Sequence, residues 1–368
     1  MRILISPDKF KNSLDARKVA DNIAAGLREV IPDAVIEIVP IADGGEGTAD
    51  VIRQASGGEW ATCDSHDALD RAIRARYVWL REQATAVMEM GEASGLWRIA
   101  PRERDLFRAN TRGVGEMLQD AAGRGADEII IGLGGSATND GGFGLARALG
   151  FHFLDKDGVE LTGPVSHLLE LDHIKPPRDL VLPRIIAAAD VKNPLLGDRG
   201  ATRTFGPQKG ATPEQGTLLE EALARLADVV SRDLGCDFRD SAGAGAAGGL
   251  GFGLLSFCGA TIRPGFDLVA EMLELESAIQ RADVVITGEG CLDEQTLEGK
   301  APAGVAQLAR KMGKRVYAIV GCVSEETSAV QLFDGVIPLA RASVAREDAM
   351  SRTAELLRER ARDLGRTL

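Results

Sequence analysis

Apolar and polar positions alternate along this chain in two rhythms. Ile3, Leu4 and Ile5 form a short apolar run that gives way at once to Ser6-Pro-Asp-Lys9. Beyond it Val19, Ile23, Leu27 and Val30 recur at the spacing of one helix face, until Pro32 ends the pattern. Residues 35–39 predict a second strand, and Asp43-Gly-Gly-Glu-Gly-Thr48 leads into a helix over 49–55. Strand, helix, strand, loop, helix is the opening of a parallel α/β sheet. Between 59 and 90 the rhythm changes. Residues 72–80 and 84–90 predict neighbouring strands on a short turn, a connection that only an antiparallel pair allows.

A helix over 111–124, an apolar strand over 129–133, a helix after Asp140 and a strand over 185–189 predict a mixed sheet covered by helices. The last third returns to strict alternation, with strands at 284–287, 316–320 and 335–339 and a helix over 302–312. A closing helix follows, its stripe made of Met350, Ala354, Leu357, Ala361 and Leu364. The pattern predicts an α/β fold of two domains. One is discontinuous, residues 1–60 plus 275–368, and a mixed-sheet α/β domain of residues 61–274 is inserted into it.

Composition narrows the choice of partners. Lys plus Arg total 43 and Asp plus Glu total 55, a net charge of −12. Nucleic acid and acidic membranes are therefore not expected partners, and an anionic ligand must be held by a local cluster. Five cysteines lie far apart with no Cys-x-x-Cys pair, beside only four histidines. Neither a zinc site nor a disulfide framework is expected, and scattered thiols suit a cytoplasmic location. The N-terminal apolar run is too short for a signal peptide, and the uncharged stretch 241–262 is too rich in glycine to span a bilayer.

Candidate chemistry gathers in four glycine-rich loops: 43–48, 132–144, 243–251 and 287–290. Each adjoins an expected element end, where sheet proteins place ligand sites. The longest, Gly132-Leu-Gly-Gly-Ser-Ala-Thr-Asn-Asp-Gly-Gly-Phe-Gly144, lies between a strand and a helix, the arrangement in which backbone amides and a helix N-terminus cradle phosphate. Its Gly132-Leu-Gly-Gly-Ser-Ala137 portion also satisfies the dinucleotide pattern, with Asp155 as the later acid, although the helix starts late for that role. Asp8, Lys9 and Lys11 follow the first strand, Asp190 and Asn193 follow the apolar run ending at Ala189, and Glu289 and Asp293 follow 284–287. Phosphoryl transfer needs a phosphate cradle, a divalent ion, cations and a carboxylate for the attacking hydroxyl, and the chain offers candidates for each. A nicotinamide-dependent oxidoreductase and a non-catalytic sensor stay open beside the kinase.

These motifs, taken in order, resemble the type I glycerate kinases over nearly the whole chain. They are Pro7-Asp-Lys-Phe-Lys11, Ala42-Asp-Gly-Gly-Glu-Gly-Thr48, Glu89-Met-Gly-Glu-Ala-Ser-Gly-Leu96, the 132–142 loop, Asp190-Val-Lys-Asn-Pro-Leu195, Phe205-Gly-Pro-Gln-Lys-Gly-Ala211, the 243–251 loop and Ile286-Thr-Gly-Glu-Gly290 with Asp293 and Lys300. The resemblance implies a flavodoxin-like or Rossmann-like terminal domain and an active site in the cleft between two α/β domains. It also implies ATP- and Mg²⁺-dependent phosphorylation of D-glycerate, at the 2-hydroxyl, giving 2-phosphoglycerate and ADP. Phosphorylation at the 3-hydroxyl, or of a related small hydroxy acid, is the alternative. Lys9, Val114, Cys291 and the turn Asp67-Ala-Leu-Asp-Arg71 depart from the family pattern.

The expected roles follow. Asp43, Gly44, Gly45, Gly47 and Thr48, with Gly134, Gly135, Ser136, Thr138, Asn139, Gly141, Gly142 and Lys300, hold the nucleotide. Asp190 orients or deprotonates the attacking hydroxyl, and Asp8, Lys9 and Lys11 complete the catalytic set. Asp140, Glu289 and Asp293 are the metal-side candidates.

Overall fold

The computed structural model describes residues 1–324, 327–340 and 350–368, without the side chain of Glu298. The chain divides into two units, one of residues 1–56 and 264–368 and the other of 57–263. The expected boundaries run later than this. Helix Gly265–Met272 belongs to the terminal unit, not to the insert, and strand Glu59–His66 lies wholly in the insert.

The terminal unit is built on a sheet of five parallel strands. In spatial order they are Val35–Ile38, Arg2–Ile5, Val284–Thr287, Arg315–Val320 and Gly335–Pro338. Counted along this unit the order is 2-1-3-4-5, the flavodoxin-like winding, whose switch point lies between the first and third strands. Both chain ends meet here. Helix Ala16–Arg28 is capped by Asp15, whose carboxylate accepts from the Lys18 amide, and its Val19, Ile23 and Leu27 stripe is buried against Leu357, Ala361 and Leu364 of helix Thr353–Gly365. Burying each such large aliphatic side chain contributes about 1.5–3 kcal/mol, so the two chain ends hold each other in place. One feature corrects the cysteine reading. Cys291 and Cys322 are joined by a disulfide across the short parallel pair Cys291–Leu292 and Cys322–Val323, their Cα atoms 4.6 Å apart. A separation of 31 residues hid the pairing from any local motif.

The insert carries a six-stranded mixed sheet. Its spatial order is Thr261–Arg263, Arg184–Ala188, Glu128–Gly132, Thr85–Glu89, Ala72–Leu80 and Glu59–His66. The first four strands run parallel and the last two form an antiparallel meander, as the short turn after 80 requires. Helices Arg112–Gly123, Phe143–Ala148, Pro213–Leu234 and Ala246–Cys258 surround one apolar core with these strands. Within it Phe143, Phe153 and Phe257 pack edge to face, with centroids 4.8 and 5.9 Å apart. No helix of the described residues is long and apolar enough to cross a membrane.

Candidate active site

In the terminal unit, the switch point gathers the acids that the sequence singles out. Strands Arg2–Ile5 and Val284–Thr287 run side by side with Ile5 opposite Ile286, so the loops that follow them leave the same sheet edge together. The Asp8 amide donates to the Gly288 carbonyl at 2.8 Å, and Thr287 Oγ1 donates to the Ser6 carbonyl at 2.7 Å. Burial, with the charges of Asp43 and Glu289 adding to it, pushes the Asp8 carboxyl up to about 8. Burial likewise pushes Glu289 up to about 7, against the pull of a hydrogen bond from Thr296 Oγ1 at 2.8 Å and the nearby charge of Lys300. Lys300 Nζ pairs with Asp293 at 2.9 Å and approaches Glu289 at 3.8 Å. Asp293 caps the turn Glu294–Glu298 through the Thr296 amide.

Lys9 completes one side of this cluster. Its Nζ donates to the Glu46 carbonyl and stands 3.6 Å from the Glu46 carboxylate, tying the first loop to the Asp43–Thr48 loop. Asp43 folds back to accept from the Gly45 amide at 3.0 Å. A cavity of about 500 Å³ opens between Lys9, Lys11, Glu289, Asp293, Lys300 and the disulfide. Two buried hydroxyls at this edge, Ser6 Oγ and Thr48 Oγ1, have no partner among the described residues.

The insert assembles its own set at the carboxyl edge of its sheet. Gly132 and Ala188 are paired in register, and the Leu133 amide donates to the Ala188 carbonyl at 3.1 Å, so the glycine loop and Asp190 emerge as neighbours. Asp190 is half-buried there. The Leu96 amide donates to Gly135, the Ala137 amide donates to Ser94, and Gly95 bridges to Ser136, so the segment after strand Thr85–Glu89 flanks the loop.

Asp140 does a different job from the one its residue type predicts. Its buried carboxylate accepts from the Thr111 amide and hydroxyl at 2.9 and 2.8 Å, from the Gly142 amide at 3.2 Å and from the Gly144 amide at 3.0 Å. Those donors take up a carboxylate's acceptor capacity, which favours an anchor over the expected metal ligand. The same contacts change the reading of the helix start. Gly144 is held by Asp140 and Leu145 by Thr111 Oγ1, so the first turn of Phe143–Ala148 is capped from within the protein and not by a ligand. The dinucleotide pattern fails for that reason. Any phosphate cradle on this loop consists of its Gly134–Thr138 portion, where Thr138 Oγ1 is buried without a partner among the described residues.

Sequence reasoning missed Lys209. It sits fully buried at the turn after Phe205-Gly-Pro-Gln, and its Nζ donates to Ser136 Oγ at 2.7 Å and to the Thr138 carbonyl at 2.8 Å. Burial pushes its ammonium down to about 7, with the Asp140 charge opposing. The signal was present, since Lys209 lies in one of the ordered motifs, but only contact distances give it a task.

The 243–251 loop supplies packing rather than a cradle. Gly248 has φ +69, and a Cβ there would lie 1.9 Å from the Thr138 carbonyl oxygen. The Gly141 amide donates to the Gly248 carbonyl at 3.1 Å. Only glycine lets the two backbones meet so closely. Asn139 is fixed in turn by its amide donating to Thr202 Oγ1 at 2.9 Å.

Among the described residues no group of three or more His, Cys, Asp or Glu side chains is arranged as a ready-made metal site. A divalent ion carried with a nucleotide makes a smaller demand, one or two carboxylates plus phosphate oxygens. The charges of Asp43 and Glu289 act on Asp8, and those of Asp43 and Asp293 act on Glu289, so these acids form one local cluster of oxygen donors.

Comparison with known proteins shows the family of the chain. The profile of the glycerate kinase family matches residues 3–368. A glycerate kinase of Bacillus subtilis is 40% identical over 100% of this chain and 98% of its own length. A glycerate 2-kinase of Escherichia coli is 42% identical over 90% of this chain and 87% of its own. Among solved structures, a Salmonella typhimurium LT2 chain provisionally named glycerate kinase 2 superimposes with a TM-score of 0.88, at 40% identity, over 100% of this chain and 98% of its own. The chain is a member of the glycerate kinase family.

Proposed function

We propose that the protein transfers the terminal phosphoryl group of ATP to the 2-hydroxyl of D-glycerate, releasing 2-phosphoglycerate and ADP. The observation that carries this reading is the cluster of Asp8, Lys9, Asp43, Glu289 and Lys300 at a flavodoxin-like switch point, the place where open α/β sheets bind ligands. Full-length similarity to kinases named for glycerate supports the substrate.

Phosphoryl transfer depends on positioning and on stabilising charge more than on covalent chemistry. Lys9 and Lys11 are suited to the glycerate carboxylate or the moving phosphoryl group, since both line the cavity. Lys300, held by Asp293, offers a cation for phosphate. The Asp43–Thr48 loop of the terminal unit and the Gly134–Thr138 loop of the insert are each suited to phosphate oxygens, with Thr48 Oγ1 and Thr138 Oγ1 as hydroxyls without partners among the described residues. Asp190 accepts the proton of the attacking hydroxyl. Mg²⁺, arriving with the nucleotide, would neutralise charge on the phosphates, and Glu289 with Asp8 or Asp43 would hold it. A cytoplasmic site of action fits a substrate pair of this kind.

Thermal melting separates this reading from the dinucleotide one. Mg²⁺ with ATP is expected to raise Tm, and NAD is expected to leave it unchanged. Stabilisation by NAD and not by ATP would overturn the proposal.

A further inference from the structure

Cys291 and Cys322 face each other across the parallel pair Cys291–Leu292 and Cys322–Val323, and both line the cavity that also exposes Lys9, Glu289, Asp293 and Lys300. The disulfide ties together two segments of different origin. One is the loop that carries Glu289 and Asp293, and the other leaves strand Arg315–Val320 through Gly321. Backbone bonds already align them, with the Gly321 amide donating to the Glu289 carbonyl at 3.0 Å and the Cys322 amide to the Gly290 carbonyl at 3.1 Å. Both cysteines are half-buried at an open cavity wall, so small thiols and disulfides reach them. The other three cysteines are unpaired, and Cys63 is buried.

We propose that Cys291 and Cys322 form a reversible thiol–disulfide site in the wall of the candidate active site, and that its oxidation fixes the loop carrying Glu289 and Asp293. The exchange partner is a low-molecular-weight disulfide. One cysteine thiolate attacks a sulfur of that disulfide and expels a thiolate, giving a mixed disulfide; the second cysteine then displaces the other half. Two cysteine sulfurs are oxidised, two carrier sulfurs are reduced, and the two cysteine protons end on the two small thiols released. A dithiol runs the sequence backwards. In the oxidised state the cross-link removes freedom from residues 288–300, so Glu289 and Asp293 are positioned before substrate arrives. In the reduced state the backbone bonds alone hold them.

The test uses the whole protein, incubated with oxidised glutathione or with dithiothreitol. Iodoacetamide labelling with peptide mass spectrometry then reports each cysteine, and hydrogen exchange reports residues 288–300. The expected result is loss of label at Cys291 and Cys322 together after glutathione disulfide, and amide exchange over 288–300 about tenfold or more faster in the reduced protein. Cys291→Ser and Cys322→Ser are each expected to remove the difference in exchange over 288–300, the remaining cysteine stopping at the mixed disulfide with glutathione. Equal labelling of both cysteines in the two incubations of the unaltered protein, equal exchange over 288–300, or an exchange difference over 288–300 that survives in Cys291→Ser overturns the proposal. The turnover consequence rests on the kinase reading: kcat/KM for glycerate falls several-fold on reduction and recovers on reoxidation. Failure of ADP release in both states would count against the kinase reading, while labelling and exchange decide this one.

Discussion

Asp8 and Glu289 leave adjacent parallel strands at one sheet edge, the Asp8 amide bonded to the carbonyl of Gly288, and the charge on Glu289 helps to raise the proton affinity of Asp8. Two acids so placed have a cost to the fold and a use to a ligand. Without a nearby cation they resist ionisation together; a cation beside them favours both carboxylates.

Asp8 titrates near 8 and Glu289 near 7 in the folded chain, both above their ordinary carboxylate values. The folded state thus holds protons that the unfolded chain releases, and the stability these groups contribute declines as pH rises from about 4 to about 8. Tm measured without ligand should fall over that window. Mg²⁺ with ATP should reverse most of the fall, and its apparent affinity should rise with pH through the same range. A ligand-free Tm that climbs steadily from pH 5 to 8 would contradict this account, unless Asp8→Asn showed the same climb.

Asp8→Asn should separate stability from activity. Removing a carboxyl that resists ionisation is expected to stabilise the ligand-free protein by roughly 1 kcal/mol at pH 8 while costing most of the turnover, the trade seen when functional strain is relieved. Denaturant melts and ADP-release rates on the same preparation check both halves.

Lys209→Met tests the clamp on the glycine loop. Ser136 Oγ and the Thr138 carbonyl lose their shared donor, so the loop proposed to hold phosphate is loosened while the acids of the terminal unit are untouched. KM for ATP is expected to rise about tenfold or more with kcat changed less, the signature of lost binding rather than lost transition-state contact. Since burial pushes the lysine down to about 7, its stability term grows as pH rises from about 7 toward 10, and the methionine variant should lack that part of the pH dependence.

Gly248→Ala should destabilise the insert by about 2–4 kcal/mol, because a Cβ at φ +69 would meet the Thr138 carbonyl at 1.9 Å. Urea melts give the number. A loss under 0.5 kcal/mol would mean that the two backbones separate easily.

The sheet strands and amphipathic helices were legible because their periodicities are local. Val19, Ile23 and Leu27 bury one helix face whatever lies elsewhere, and the short turn after 80 dictates an antiparallel partner. The acids were legible as types at strand ends. Their division of labour was not, since Asp140 and Glu289 look alike in sequence while one accepts four internal bonds and the other lines a cavity. Lys209 and the Cys291–Cys322 pair were hidden for the same reason, each depending on a partner far away in the chain. Helix Pro213–Leu234 is absent from the sequence reading, although Thr212 and Gln215 form a capping box at its start.

Asp190 is the proposed proton acceptor, half-buried beside the glycine loop. Asp190→Asn should lower kcat by at least about a hundredfold, with the fold intact by circular dichroism, as expected for a general base. A change within tenfold would remove Asp190 from that role.

The most direct test of the central claim is a coupled ADP-release assay with Mg²⁺ and ATP over a panel of small hydroxy acids, with the phosphorylated product identified by NMR. Turnover with D-glycerate is expected to exceed that with all others in the panel, with a phosphorus signal coupled to the proton on C2, that of 2-phosphoglycerate. A product phosphorylated at the terminal carbon would contradict the assigned position, and no glycerate-dependent ADP release would contradict the function itself.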